Sequence, residues 1–255
     1  MNKNPNEKNV NLIEVFSSFQ GEGLLVGSRQ VFVRLASCNL NCKYCDTEIL
    51  AKDVAKLEMT PGKLDFSDIC NPVLASYLAN HVNKMLFASK HHSVSITGGE
   101  PLIQFEALKD LLPGLNAPIY LETNGILFEE LQEVLPFIEY ISMDIKLPSS
   151  LIFGKIETPK NYWQEHAKFL EIAFRKNVFI KIVLTAKTTF EEVEKAIEII
   201  NSVNKKIPLV FQPVTPVNGV ESLSIEKTIA FFELAQNVLD DVRIIPQTHK
   251  IIGVI

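Results

Sequence analysis

The sequence is poor in cysteine, with 4 among 255 residues, and it has no long apolar run. None of its apolar stretches approaches the roughly 20 residues that a membrane-crossing helix needs. It has no Lys/Arg-rich segment, and its net charge is −5, so the electrostatic footprint of a nucleic-acid binder is missing. The first residues, MNKNPNEKNVN, lack the apolar centre of a secretion signal. A polar leader is expected over residues 1–10, followed by one domain over 11–255. Neither an internal repeat nor a low-complexity linker interrupts the chain. Four cysteines, three of them clustered, in a chain without a secretion signal point to a reducing cytoplasm and a metal centre rather than disulfides. What is present is ordinary for a chain with a full core: 47% apolar and 22% charged residues.

Short β-branched runs alternate with longer amphipathic stretches. Strands are expected over 12–16, 31–35, 93–97, 118–122, 140–144, 178–184, 209–212 and 242–245. Helical patterns lie near 66–89, 105–112, 129–135, 163–176, 190–203 and 225–239. This rhythm implies parallel βαβ units, and strands apolar on both faces imply a sheet covered on both sides. Six runs end in polar or glycine-rich motifs: VFVRLA in SCNLNC, SVSI in TGGEP, PIYL in ETNG, YISM in DIK, LVF in QPVTP and RII in PQTHK. Reactive groups gathered at the carboxyl ends of parallel strands share one mouth in a βα barrel or part of one. About six strands favour a partial (β/α)6 barrel over a closed eightfold one. The stretch 49–92 reads as a helical insertion after the first of these motifs, with Cys70 in an apolar, helix-like segment.

The stretch Ser37–Thr47 places Cys38, Cys42 and Cys45 in the spacing Cys-x-x-x-Cys-x-x-Cys. A structural zinc site wants four protein ligands, and this set stops at three. Three thiolates at this spacing suit a [4Fe-4S] cluster with one iron left for an exogenous ligand. Further along, Gly98-Gly99-Glu100-Pro101 alone is a strand-to-helix turn, whose glycines let the backbone approach a ligand. Glu122, Asn124 and Gly125 could form a simple tight turn. Asp144 with Lys146 could be a surface ion pair, and Gln212 a turn-capping amide. Lys181 sits inside an otherwise apolar strand and needs a partner in the interior. Gln20-Gly21-Glu22-Gly23 reads as a hairpin turn. Arg34 lies on the strand face opposite Val33 and Leu35. The final PQTHKIIGVI is expected to tuck in, because Ile251, Ile252, Val254 and Ile255 are apolar.

The cysteine motif after a first strand, followed by TGGEP after the next, resembles the radical S-adenosylmethionine enzymes. That resemblance implies an open partial barrel, a [4Fe-4S] cluster on Cys38, Cys42 and Cys45, and S-adenosylmethionine on its open iron, cleaved reductively to a deoxyadenosyl radical. Cofactor contacts would fall to Gly98, Gly99, Glu100, Asn124, Asp144, Lys146 and Gln212, with Glu122 nearby.

FQGEG, FVRL-x-x-Cys, Asp46-Thr47 after the last cysteine, TGGEP and the terminal QTHK together resemble one family of that class. This family is the 7-carboxy-7-deazaguanine synthases of the queuosine (7-deazapurine) pathway. The likeness spans Phe16 to Ile255. It implies a lyase that converts 6-carboxy-5,6,7,8-tetrahydropterin to 7-carboxy-7-deazaguanine with ring contraction and loss of ammonia. Substrate contacts would come from Phe19, Gln20, Gly21, Glu22, Arg34, Thr97, His249 and the carboxylate of Ile255. Thr47 would bind Mg2+. A flavodoxin or ferredoxin would supply electrons to a cytoplasmic homodimer. Two other classes share some of these features. A glycyl-radical-enzyme activase has similar cysteines and a TGGEPLIQ-like stretch, but does not need the Gln-Gly-Glu turn or Arg34. A non-catalytic iron–sulfur electron carrier or scaffold does not need the glycine cradle.

Overall fold

The computed structural model describes residues 7–152 and 161–254. Its strands, in chain order, are β1 (Asn9–Val10), β2 (Leu12–Phe19), β3 (Arg29–Leu35), β4 (Val54–Glu58), β5 (Phe66–Cys70) and β6 (Val73–Leu74). They continue with β7 (Ser93–Gly98), β8 (Ile119–Thr123), β9 (Tyr140–Asp144), β10 (Asn177–Leu184), β11 (Leu209–Pro213) and β12 (Val242–Ile244). The helices are α1 (Ala75–Ala88), α2 (Phe105–Leu111), α3 (Phe128–Val134), α4 (Trp163–Ala173), α5 (Phe190–Val203), α6 (Ile225–Gln236) and α7 (Thr248–Ile252).

Ten strands form one open sheet in the order β12-β11-β10-β9-β8-β7-β3-β2-β4-β5. The run from β12 to β3 is parallel throughout. The expected parallel α/β core is therefore present, as an open sheet with a short seventh parallel strand, β12. Helices enter between successive strands for a local reason in each case. Pro101 sits at the first position of the turn leading into α2, and Thr189 with Glu192 forms a capping box at α5. Leu108, Leu131, Phe169, Val193 and Phe231 carry the helices into one buried cluster with the strand residues Val33, Ile96, Leu121, Ile141 and Ile182. Burial of such side chains contributes about 1.5–3 kcal/mol each.

Three expectations are corrected. The strand expected over 12–16 continues to Phe19 and runs antiparallel to β3. The insertion is a β-hairpin followed by a helix, since residues 66–70 form β5, antiparallel to β4, and α1 begins only at Ala75. FSDIC is mostly exposed and is held by its pairing with β4 along its whole length, and Pro72 cannot lie inside a helix without breaking it. Cys70 is consequently exposed on an edge strand. At the amino end, β1 pairs with β6, so Asn9 and Val10 of the expected leader are part of the fold, with Val10 fully buried.

Candidate active site

A cavity of about 700 Å3 opens at the carboxyl ends of the parallel strands. Cys38, Cys42 and Cys45 line it, as do Thr47, Thr97, Gly98, Gly99, Asn124, Asp144, Lys146 and Gln212. So do Phe19, Gln20, Gly21, Glu22, Arg34, Glu122, Lys181 and His249. Most residues singled out in the sequence thus meet at one mouth. Glu100 lies behind the wall, and Ile255 falls outside the described residues.

The cysteine loop leaves β3 and folds back on β7. A side-chain carbon on Gly98 would meet the Leu35 carbonyl oxygen at 2.1 Å, and one on Gly99 the Ser37 carbonyl oxygen at 1.9 Å. The two glycines therefore admit the backbone of the thiol loop itself, a packing reason beside the expected ligand approach, and both also line the cavity. Burial pushes the Cys38 and Cys42 thiols above their ordinary range. Among the described residues, no three Cys, His, Asp or Glu side chains converge tightly enough to hold a single metal ion. The loop presents three thiols along one wall.

Glu100 is fully buried. One carboxylate oxygen accepts from Leu102 N at 3.1 Å and Thr123 Oγ1 at 2.9 Å, the other from Asn124 N at 2.7 Å. Burial raises its pKa to about 7, against the pull of these donors. Within the protein, Glu100 ties the TGGEP turn to the ETNG turn. Asn124 in turn donates from Nδ2 to Asn39 Oδ1, inside the cysteine loop, at 2.7 Å.

Beside this wall runs a buried chain of charges. Lys146 Nζ donates to Asp144 Oδ2 at 2.7 Å and to the Tyr44 hydroxyl oxygen at 3.3 Å. Lys181 Nζ lies 3.4 Å from the same Asp144 oxygen and pairs closely with Glu22. Glu22 also accepts from Gln247 Nε2 at 2.8 Å. Burial alone would raise Glu22, but Lys181, Gln247 and His249 pull it down to about 2. Burial would lower Lys181, yet Glu22 and Asp144 hold it above the usual lysine range. The interior partner that Lys181 required is therefore Glu22 with Asp144.

Gln20 is 3% exposed and its amide is spent. Nε2 donates to Gln30 Oε1 and to Glu122 Oε1, both at 3.0 Å, and Oε1 accepts from Glu22 N at 3.0 Å. A primary amide has two donor hydrogens, so both are committed within the protein and Gln20 fixes the shape of the pocket. Ser95 Oγ donates to the same Glu122 oxygen at 2.8 Å.

The terminal segment docks on this turn, but through its polar residues. Thr248 N and Oγ1 both donate to the Gly21 carbonyl oxygen, at 2.9 and 3.1 Å. The His249 ring packs so closely that any side chain at Gly21 would strike it at 2.1 Å. Ile251 and Ile252 stay 73% and 60% exposed, which corrects the expectation that they tuck in. They project from a one-turn helix anchored by its polar neighbours.

The pattern reading missed several contributors. Tyr44 gave no sign of its lysine partner. His166 is fully buried on α4, where its Nε2 accepts from Lys146 N at 3.1 Å and Nδ1 donates to the Gly125 carbonyl oxygen at 3.0 Å. Burial lowers its pKa to about 4, so it stays neutral while bracing the ends of β8 and β9. Its apolar neighbours Phe169 and Leu170 were the available signal.

Four buried side-chain atoms have no partner among the described residues; Ser149 Oγ belongs to a residue away from the cavity, and the other three are Asn124 Oδ1, Asp144 Oδ1 and Gln212 Oε1. They sit at or just beyond the ends of β8, β9 and β11 and line the cavity beside the thiols. Orphaned buried acceptors are costly and call for a ligand that brings donors. S-adenosylmethionine, with an ammonium, ribose hydroxyls and an adenine amine, fits them. Three thiols in one loop fit an iron–sulfur cluster. For a hard cation, one oxygen available is the Thr47 hydroxyl, 3.5 Å from Asp46 Oδ1, with the carboxylates of Asp46 and Glu48 lining the cavity on either side of it in sequence.

A three-thiol loop beside an open parallel sheet with a ligand-deficient wall defines a radical S-adenosylmethionine enzyme, and residues 33–200 match the model of the Radical SAM superfamily. Over 247 residues the chain is 43% identical to a 7-carboxy-7-deazaguanine synthase of Geobacter sulfurreducens, covering 95% of this chain and 96% of the relative. One from Archaeoglobus fulgidus is 37% identical, covering 96% of this chain and 98% of the relative. The fold is similar to the crystal structure of QueE from Escherichia coli, with a TM-score of 0.55, 22% identity and 95% of each chain covered. The chain belongs to the 7-carboxy-7-deazaguanine synthase family of the radical SAM superfamily.

Proposed function

We propose that this chain, as one catalytic domain that includes Asn9 and Val10, converts 6-carboxy-5,6,7,8-tetrahydropterin to 7-carboxy-7-deazaguanine with ring contraction and loss of ammonia. The observation that carries this reading is a second pocket wall in the same cavity as the thiols, built from Arg34, Glu122, the QGEG turn and the QTH segment docked on it. An activase or an electron carrier has no use for such a wall.

Cys38, Cys42 and Cys45 would hold the [4Fe-4S] cluster. Asn124, Asp144 and Gln212 would hold S-adenosylmethionine, with Glu100 and His166 bracing the turns that present them. When bound, these groups supply the radical that takes hydrogen from the substrate. The chain's own contribution is orientation, from charged and polar groups fixed along the cavity wall. Arg34 takes the substrate carboxylate, since a guanidinium fork matches a carboxylate with two parallel bonds. Thr97, paired across the sheet from Arg34, stands beside it. Glu122, with one oxygen saturated by Gln20 and Ser95, keeps the other for a donor on the pterin. Glu22 and Lys181 neutralise each other and hold the turn that carries Phe19 and Gly21. His249 lines the far side. Thr47 would hold Mg2+, which suits a site offering few protein ligands because the ion keeps several waters. A flavodoxin or ferredoxin would reduce the enzyme, which would work in the cytoplasm as a homodimer.

The test is Arg34→Ala with the cluster loaded. It is expected to keep its cluster absorbance and its affinity for S-adenosylmethionine while losing about 100-fold in kcat/KM for the carboxypterin, about 3 kcal/mol. Normal turnover would remove Arg34 from the pocket and the reading with it.

A further inference from the structure

Arg34 is not alone on its strand face. Leu12 of β2 pairs with Leu35 of β3, so an unbroken antiparallel ladder would set Ile13 opposite Arg34 and Glu14 opposite Val33. The register shifts between Leu12 and Glu14, and the pairs that follow are Glu14 with Arg34, Val15 with Val33 and Phe16 with Phe32. A bulge of this kind adds one residue to one strand and re-aims the side chains beyond it. Here it carries Glu14 onto the cavity face, beside Arg34.

The contact that results is specific. Arg34 Nε donates to Glu14 Oε1 at 2.9 Å, and both side chains are 21% exposed. The guanidinium lies over the Phe16 ring, 5.4 Å from its centre, and Phe16 stacks on Phe32 with ring centres 5.0 Å apart. One side of the fork is thus taken by a carboxylate and one face by an aromatic ring. Arg34 makes no other hydrogen bond among the described residues, so its two terminal nitrogens remain for a second carboxylate. A planar fork with five donors can serve two carboxylates on different edges.

We propose that Glu14 is a positioning residue for substrate capture: by holding Nε, it turns the terminal edge of the Arg34 guanidinium toward the carboxylate of the incoming ligand. The inference rests on the assignment of Arg34 given under Proposed function and adds a residue that acts through it. The bulge at Ile13 is then the backbone device that makes the pairing.

The experiment is anaerobic calorimetry on cluster-loaded enzyme saturated with S-adenosylmethionine. It compares 6-carboxytetrahydropterin with the same pterin lacking the 6-carboxylate. Glu14→Ala is expected to weaken the carboxypterin about 10-fold, in line with the loss of one well-oriented charged contact. Glu14→Gln keeps an acceptor for Nε and is expected to restore affinity to within about 3-fold of the native enzyme. The decarboxylated pterin should bind all three proteins equally. In an Arg34→Ala background, Glu14→Ala should have no further effect. Unchanged or tighter binding of the carboxypterin by Glu14→Ala would show that Glu14 competes with substrate, and would overturn the proposal. Equal loss for both pterins would overturn it too, by making Glu14 a general structural residue. If the native enzyme shows no preference for the carboxylated pterin, the assignment of Arg34 itself fails and this inference falls with it.

Discussion

The two walls of the cavity are built on opposite plans. On the wall formed by the ends of β8, β9 and β11, Asn124, Asp144 and Gln212 each leave a buried oxygen without a partner. On the wall formed by the QGEG turn and β10, Gln20, Glu22 and Lys181 are saturated by one another, by Glu122 and by Gln247. The first wall carries an unmet demand for donors that a cofactor would satisfy. The second is organised before anything binds, and its stability is the protein's own. Substitutions on the saturated wall should therefore act on folding, and those on the deficient wall on ligand affinity.

The largest effect is expected from Lys181→Met, which leaves Glu22 buried without its cation while Asp144 keeps only Lys146. Urea unfolding should show a loss of about 3 to 5 kcal/mol; a near-neutral result would break the contrast between the walls. Next comes Glu22→Gln. Because Glu22 is held at about 2 against an ordinary 4.5, the unfolded chain binds its proton first as pH falls. Its stabilisation is complete above pH 4.5 and lost as pH falls through about 2. The variant should thus be less stable by up to about 3 kcal/mol near neutrality. The gap to the native protein should narrow on acidification below pH 4.5, and a constant gap would mean that the charge is not what stabilises. A smaller effect is expected from Gln212→Leu, on the deficient wall. Affinity for S-adenosylmethionine should fall about 10-fold, near 1.4 kcal/mol, while stability stays level or rises because an orphaned acceptor is gone. Smallest is Lys250→Ala. It removes a half-exposed pair with Asp46, and unfolding should change by no more than about 1 kcal/mol.

Legibility in the sequence followed the same division. The deficient wall announced itself, because ligand-binding residues stand at strand ends in short polar motifs that interrupt apolar runs. TGGEP, ETNG, DIK and the cysteine loop are all such breaks. The glycines of TGGEP were found for an incomplete reason: what they accommodate, the Leu35–Ser37 backbone, comes from another part of the chain. The bracing contacts of Glu100 with the ETNG turn were not legible, since nothing local shows which way a carboxylate at a turn will face. The saturated wall was harder still. The partners Glu22 and Lys181 are 159 residues apart, and Gln247 and Glu22 are 225 apart, so only the fold brings them together. The strand β5, inside the helical pattern expected over 66–89, is hard to read because its apolar residues are sparse, and Pro72 is the one local sign against a helix there. The bulge at Ile13 left no mark in composition at all.

The central claim is tested most directly by an anaerobic assay of the cluster-loaded enzyme with S-adenosylmethionine, a strong reductant, Mg2+ and 6-carboxytetrahydropterin, read by mass spectrometry. The account predicts 7-carboxy-7-deazaguanine, with yield dependent on Arg34. Cleavage of S-adenosylmethionine to deoxyadenosine without that product would contradict the proposed substrate and return the chain to other radical chemistry. No cleavage by a fully loaded cluster would contradict the enzyme reading itself.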